Sequence, residues 1–118
     1  MSNCGCGGTR LIYACSGCAD VGEVADKVAR SINKQGQAKM SCLAGIGAGL
    51  SAFIESAKGA CGNVTVDGCP IACAKNTLEK AGVVPKSFIL TELGLTKGKT
   101  LVTDKLAEEV KGKILEQL

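Results

Sequence analysis

Asn63-Val64-Thr65-Val66-Asp67-Gly68-Cys69-Pro70-Ile71-Ala72-Cys73 is the stretch that decides the fold. Three β-branched residues in a row give its first half strand character, and Gly68 breaks the strand. Pro70 suits the first turn of a helix, where its missing N–H leaves nothing unpaired. The spacing predicts that helix through Ile71, Ala74 and Leu78 to Ala81, with Gly82 just beyond its end. A strand that turns at once into a helix is half of a parallel βαβ unit.

The same alternation extends in both directions. Arg10-Leu11-Ile12-Tyr13-Ala14 reads as a first strand. Apolar residues at 21, 24, 25, 28, 29 and 32 have helical spacing, and Gly36 is the expected stop. A weak second strand is expected over 38–42, and a second helix over about 49–58. Ser87-Phe88-Ile89-Leu90-Thr91 gives strand four, and a last amphipathic helix is expected from about Thr103 to Leu118. The pattern βαβαβαβα predicts an α/β fold, a small three-layer doubly wound and mostly parallel four-stranded sheet, in the order 2-1-3-4.

With 118 residues, the chain is expected to hold one α/β metal-binding domain over 10–118, after a flexible Cys/Gly-rich tail over 1–9. Aromatic residues make up only 3%, too few for a base-stacking surface, and the lysines behind the net charge of +3 are dispersed. No nucleic-acid partner is expected. No apolar run reaches the roughly 18–20 residues of a membrane span, and the first residues lack the apolar core of a secretory signal, so a cytoplasmic protein without a membrane partner is expected. Its protein partners are open.

Eight cysteines in that compartment point to metal or redox chemistry, and the absence of histidine restricts a transition-metal site to sulfur and carboxylate donors. Cys15 and Cys18 follow strand one, Cys42 closes strand two, and Cys69 and Cys73 follow strand three. All five fall at the carboxyl edge of the expected sheet, where open α/β sheets bind ligands. Cys15-Ser16-Gly17-Cys18 is a C-x-x-C turn short enough for both sulfurs to face one ion. Cys69 and Cys73 are expected at a helix N-cap and one turn later, on the same side. Single cysteines often act as small buried hydrophobes, but five from three segments at one edge suit a tetrahedral thiolate site. Helix amino ends beside two of these segments favour the deprotonated sulfur.

Tyr13-Ala14-Cys15-Ser16-Gly17-Cys18, Met40-Ser41-Cys42-Leu43-Ala44-Gly45 and Asp67-Gly68-Cys69-Pro70-Ile71-Ala72-Cys73 resemble the DGC-domain family of small prokaryotic proteins. The resemblance runs from about Leu11 to Gly82. It implies zinc, held by four chelating cysteines: Cys42, Cys69 and Cys73 match the motif, and either Cys15 or Cys18 is the fourth, with Cys15 favoured. The remaining sulfur would be a thiol supporting the ligands from outside, an exchangeable ligand or a resolving thiol in redox chemistry.

Asp67 is expected to cap loop amides beside the site, with Gly68 supplying a conformation closed to other residues; Asp20 lies near the same edge. Gly45-Ile46-Gly47-Ala48-Gly49 fails the dinucleotide fingerprint, since Leu50 stands where a third glycine belongs, and is read as a flexible approach to the metal. Cys61, at the opposite edge, is expected as a loop or packing thiol. Cys4 and Cys6 belong to the tail. Lys97-Gly98-Lys99 is expected in a solvated loop. The function expected is zinc binding, structural or metal-handling, with a thiol oxidoreductase or sulfur carrier using Cys15 and Cys18, or an iron–sulfur protein, as alternatives. No catalytic residue is assigned, and whether the chain is an enzyme is open.

Overall fold

The computed structural model describes residues 8–118. Among them the chain runs β1 (Arg10–Ala14), α1 (Asp20–Lys34), β2 (Lys39–Met40), α2 (Leu43–Gly47), α3 (Ser51–Gly59), β3 (Gly62–Asp67), α4 (Cys73–Lys80), β4 (Lys86–Ile89), a 3-10 turn (Leu90–Leu93) and α5 (Asp104–Leu115). The strands form one parallel sheet in the expected order β2-β1-β3-β4. The central pair is in register from Arg10 opposite Gly62 to Ala14 opposite Val66.

Alternate strand residues serve opposite faces. Ile12, Ala14, Val64, Val66 and Phe88 pack against α1 and α5 through Val24, Val28, Ile32, Val110 and Ile114. Leu11 and Tyr13 face the other way, towards Ile46, Ala57, Leu78 and Val83. Every α1 residue of the predicted apolar stripe, 21 to 32, is buried. Each such Val or Ile removes enough apolar surface from water to contribute about 1.5–3 kcal/mol before entropy is counted. Gly36 ends the segment at φ +77°, as the sequence predicts.

Several expectations need correction. The helix expected from Pro70 begins only at Cys73, because Ala72 adopts a left-handed φ of +54° and leaves Cys69 to Ala72 as a turn closed by Ala72 N–H to the Cys69 carbonyl at 3.0 Å. Cys69 is therefore in the turn, and Ala72 occupies the N-cap position. The second strand keeps only Lys39 and Met40, and strand four ends at Ile89. The presumed flexible glycine stretch holds a short helix, α2, whose Gly45 lies so close to the Phe53 ring that a Cβ would stand 2.5 Å from it. Thr103 caps α5, its hydroxyl accepting the Leu106 N–H at 3.0 Å, and the helix ends at Leu115. Cys4 and Cys6 lie outside the described residues. Among the described residues no helix is long and apolar enough to cross a membrane.

Candidate functional site

β1 sends its chain to α1 on one face of the sheet, and β3 sends its chain to α4 on the other. The carboxyl ends of these two neighbouring strands are thus the point where connections diverge and a crevice must open. A cavity of about 170 Å³ lies there, lined by Cys15, Cys18, Asp67, Cys69, Cys73 and Lys97, with Val21, Ile71 and small residues between them. Nucleotides and similar cofactors occupy pockets of roughly 300–1,000 Å³, so the space suits an ion or a very small molecule.

The backbone holds the two cysteine pairs in unusual conformations. Cys15 still donates its N–H to the Val66 carbonyl at 3.1 Å, so its position is set by the sheet. Ser16, between Cys15 and Cys18, has φ +56°, and Ala72, between Cys69 and Cys73, has φ +54°; among the described residues they are the non-glycine residues with positive φ. Such conformations cost of order 1–3 kcal/mol each and gather where function demands a particular backbone. Here both mark the turns that carry thiols.

One glycine lets these turns meet, and another lets the first turn fold back onto α1. A Cβ on Gly68 would stand 2.6 Å from the Val21 carbonyl carbon, and one on Gly22 would stand 2.6 Å from the Gly17 carbonyl oxygen. The requirement at Gly68 is close backbone approach, which corrects the expectation of a special dihedral. Gly22 was not singled out from sequence, since a glycine inside a helical pattern gives no sign of what it touches.

Asp67 is almost fully buried, and its two carboxylate oxygens accept the Ala74 N–H at 2.7 Å and the Lys75 N–H at 3.1 Å. Burial pushes its carboxyl above the usual range, opposed by those two N–H donors and the Lys75 charge. Its lone pairs satisfy the amino end of α4, so its role at the site is to orient the Cys69–Cys73 turn.

Asp20 opens α1 and reaches the loop expected to be free in solvent. Its Oδ1 accepts the Gly98 N–H at 2.9 Å and the Val21 N–H at 2.7 Å, and its Oδ2 accepts the Thr100 N–H at 2.9 Å. Those donors, Gly98 first, hold the Asp20 carboxyl below the ordinary carboxylate range. The turn so pinned places Lys97 Nζ 3.6 Å from Cys69 Sγ. Lys97 therefore lines the cavity, while it, Gly98 and Lys99 lie in an exposed loop, as the sequence predicts. A contact spanning 28 residues and a tether spanning 78 leave no trace in local sequence.

The five sequence-predicted cysteines are all free thiols. Cys15, Cys18, Cys69 and Cys73 line the one cavity, while Cys42 does not. Cys42 instead caps α2, its Sγ accepting the Gly45 N–H at 3.3 Å. Cys61 lies before β3 at the other end of the sheet, donates its N–H to the Thr9 carbonyl at 3.1 Å, and is not among the free thiols. Four sulfurs and no histidine form a donor set whose chemistry suits a soft ion. In the arrangement seen, no three Cys, Asp or Glu side chains among the described residues converge closely enough to hold one.

The DGC domain family model matches residues 11–114. The chain belongs to the DGC-domain family. The anaerobic and virulence modulator AnvM of Pseudomonas aeruginosa is 38% identical over 88 residues, which cover 74% of this chain and 67% of that protein. No solved structure matches the chain. The Asp67-Gly68-Cys69 segment of this DGC domain is the turn at the end of β3, where Asp67 caps a helix, Gly68 admits α1 and Cys69 lines the cavity.

Proposed function

We propose that this DGC domain binds a soft metal ion of the zinc class through the thiolates of Cys15, Cys18, Cys69 and Cys73, with Cys42 outside the donor set. The observation that carries this reading is that two cysteine pairs, from the ends of adjacent strands, line one ion-sized cavity. Four sulfurs at about 2.3 Å would complete a tetrahedral zinc site. Because three sulfurs do not yet converge, binding requires the side chains to move between staggered χ1 wells. Cys18 and Cys73 are exposed and have room to do so. The amino ends of α1 and α4 both open at the cavity and favour negative charge there.

When bound, a four-thiolate zinc leaves no open position for water and ties the two loops together, which suits a structural or metal-handling role. Protein purified anaerobically without added metal is expected to carry about one zinc per chain, its pocket thiols resisting alkylation until a chelator is added. A folded, metal-free protein that takes up no zinc overturns the reading.

The lack of convergence favours one second reading, in which Cys15 and Cys18 form a reversible redox pair. The name of the related AnvM ties a similar protein to anaerobic modulation, which accords with chemistry that oxygen alters. Under this reading exposure to air yields a Cys15–Cys18 disulfide, reversible by dithiol, in protein without metal. Visible absorbance in the anaerobic material would instead indicate an iron–sulfur cluster.

A further inference from the structure

The turn from Thr96 to Thr100 is a built feature of the pocket. Lys99 N–H and the Thr100 hydroxyl both donate to the Thr96 carbonyl, at 3.1 and 2.7 Å, and Gly98 takes φ +85° to close the turn. Two of its N–H groups, those of Gly98 and Thr100, are received by the Asp20 carboxylate, which is fixed in turn by the Val21 N–H at the start of α1. The only side chain this turn contributes to the cavity lining is that of Lys97, whose ammonium stands 3.6 Å from Cys69 Sγ. The other residues that line the pocket are apolar or small, apart from the four thiols and Asp67, and the Asp67 oxygens are engaged by α4.

We infer that Lys97 is the charge-selecting residue of the thiol pocket, favouring anionic reagents and anionic thiolate assemblies, and that Asp20 is a positioning residue that holds Lys97 in place. The inference rests on the proposed use of the pocket thiols, and not on which ion they take. Four thiolates around a dication carry a net negative charge, and an ammonium beside one of them compensates part of it. The same ammonium draws a small anion towards Cys69 in metal-free protein. Without the Asp20 tether the turn retains its own hydrogen bonds but loses its place over the cavity.

The test uses the full chain, stripped of metal and reduced, and compares alkylation of Cys69 by iodoacetate with alkylation by neutral iodoacetamide, read residue by residue by mass spectrometry. The preference for the anionic reagent is expected to fall roughly two- to fivefold in Lys97→Ala, the scale of an exposed charge pair, and to persist in Lys97→Arg. Asp20→Asn, which retains an acceptor for the Gly98 N–H but loses the one for the Thr100 N–H, is expected to lower it part of the way towards Lys97→Ala, with no fall beyond Lys97→Ala in the double variant. In native protein the preference is expected to fade as salt rises, and in Lys97→Ala to be nearly independent of salt. An unchanged ratio in Lys97→Ala overturns the inference, and an unchanged ratio in a folded Asp20→Asn overturns the role of Asp20. Zinc binding is measured separately on the same variants, so a pocket that takes no zinc yet retains the Lys97-dependent ratio defeats only the metal reading.

Discussion

Asp67 Oδ1 accepts the Ala74 N–H at 2.7 Å, joining the last residue of β3 to the first turn of α4 across the thiol-bearing turn. With the Lys75 N–H on its other oxygen, this buried side chain satisfies two of the amide groups that a helix start leaves unpaired. Asp67→Ala is expected to lower stability by about 1–3 kcal/mol, because the amides lose their acceptors inside the protein. Asp67→Asn, which retains one good acceptor, is expected to lose less. Urea denaturation followed by circular dichroism measures both, and equal stability of native protein and Asp67→Ala would contradict the capping role.

Gly22 and Gly68 provide a steric contrast with Gly112. Alanine at either of the first two drives a Cβ against backbone atoms at 2.6 Å, and a loss of about 1–3 kcal/mol is expected. Around Gly112, in α5, a Cβ meets nothing within 4 Å, so Gly112→Ala is expected to gain about 0.5–1 kcal/mol from helix propensity. Melting curves of the three variants should fall on opposite sides of the native protein. A stable Gly68→Ala would mean that α1 and the Asp67-Gly68-Cys69 turn are not in contact.

Ser16 and Ala72 invert the usual effect of glycine. In ordinary segments a change to glycine destabilises through the freedom it gives the unfolded chain. At left-handed positions the relief of strain opposes that loss, so Ala72→Gly and Ser16→Gly are expected to be neutral or to stabilise by up to about 1 kcal/mol. A loss of more than about 1 kcal/mol in either variant would show that the turn is unstrained.

Tyr13 reports on the face of the sheet that carries α2, α3 and α4. It is fully buried, its hydroxyl donates to Asn63 Oδ1 at 2.7 Å, and burial pushes its pKa up to about 12, partly opposed by a hydrogen bond with Ser41. The folded state therefore holds the phenolic proton more tightly than the unfolded chain, whose tyrosine has a pKa of about 10. The associated stability is complete below about 10 and is lost as pH rises towards the folded value. As Tyr13 is the single tyrosine and tryptophan is absent, tyrosinate absorbance reads it directly. A native titration centred near the ordinary tyrosine value would contradict the burial.

Much of the fold is legible because its signals are local. The stripe from Val21 to Ile32 repeats at helical spacing, and the β-branched run at 64–66 stops at Gly68, so element order and the parallel sheet follow from neighbours in sequence. Weaker elements are hidden by composition. α2 contains Gly45 and Gly47, poor helix formers, and is held by the Cys42 cap and packing against Phe53. The late start of α4 depends on one left-handed residue, Ala72, for which alanine gives no warning. At the site, the grouping of Cys15, Cys18, Cys69 and Cys73 follows from strand order, whereas the separation of Cys42 does not: β2 is only two residues long, and α2 turns its cysteine to capping. Lys97 and its tether to Asp20 join distant segments, and only the folded chain brings them together.

The proposed donor set joins the cysteines of the β1 and β3 turns and leaves Cys42 outside it. Cobalt(II), titrated anaerobically into native protein and into five single cysteine-to-serine variants, tests this through its sulfur-to-metal absorption, which strengthens with each thiolate bound. Cys15→Ser, Cys18→Ser, Cys69→Ser and Cys73→Ser are each expected to weaken that band and the affinity, while Cys42→Ser matches native protein. Loss of the band in Cys42→Ser, with binding intact in Cys15→Ser or Cys18→Ser, would contradict the claim.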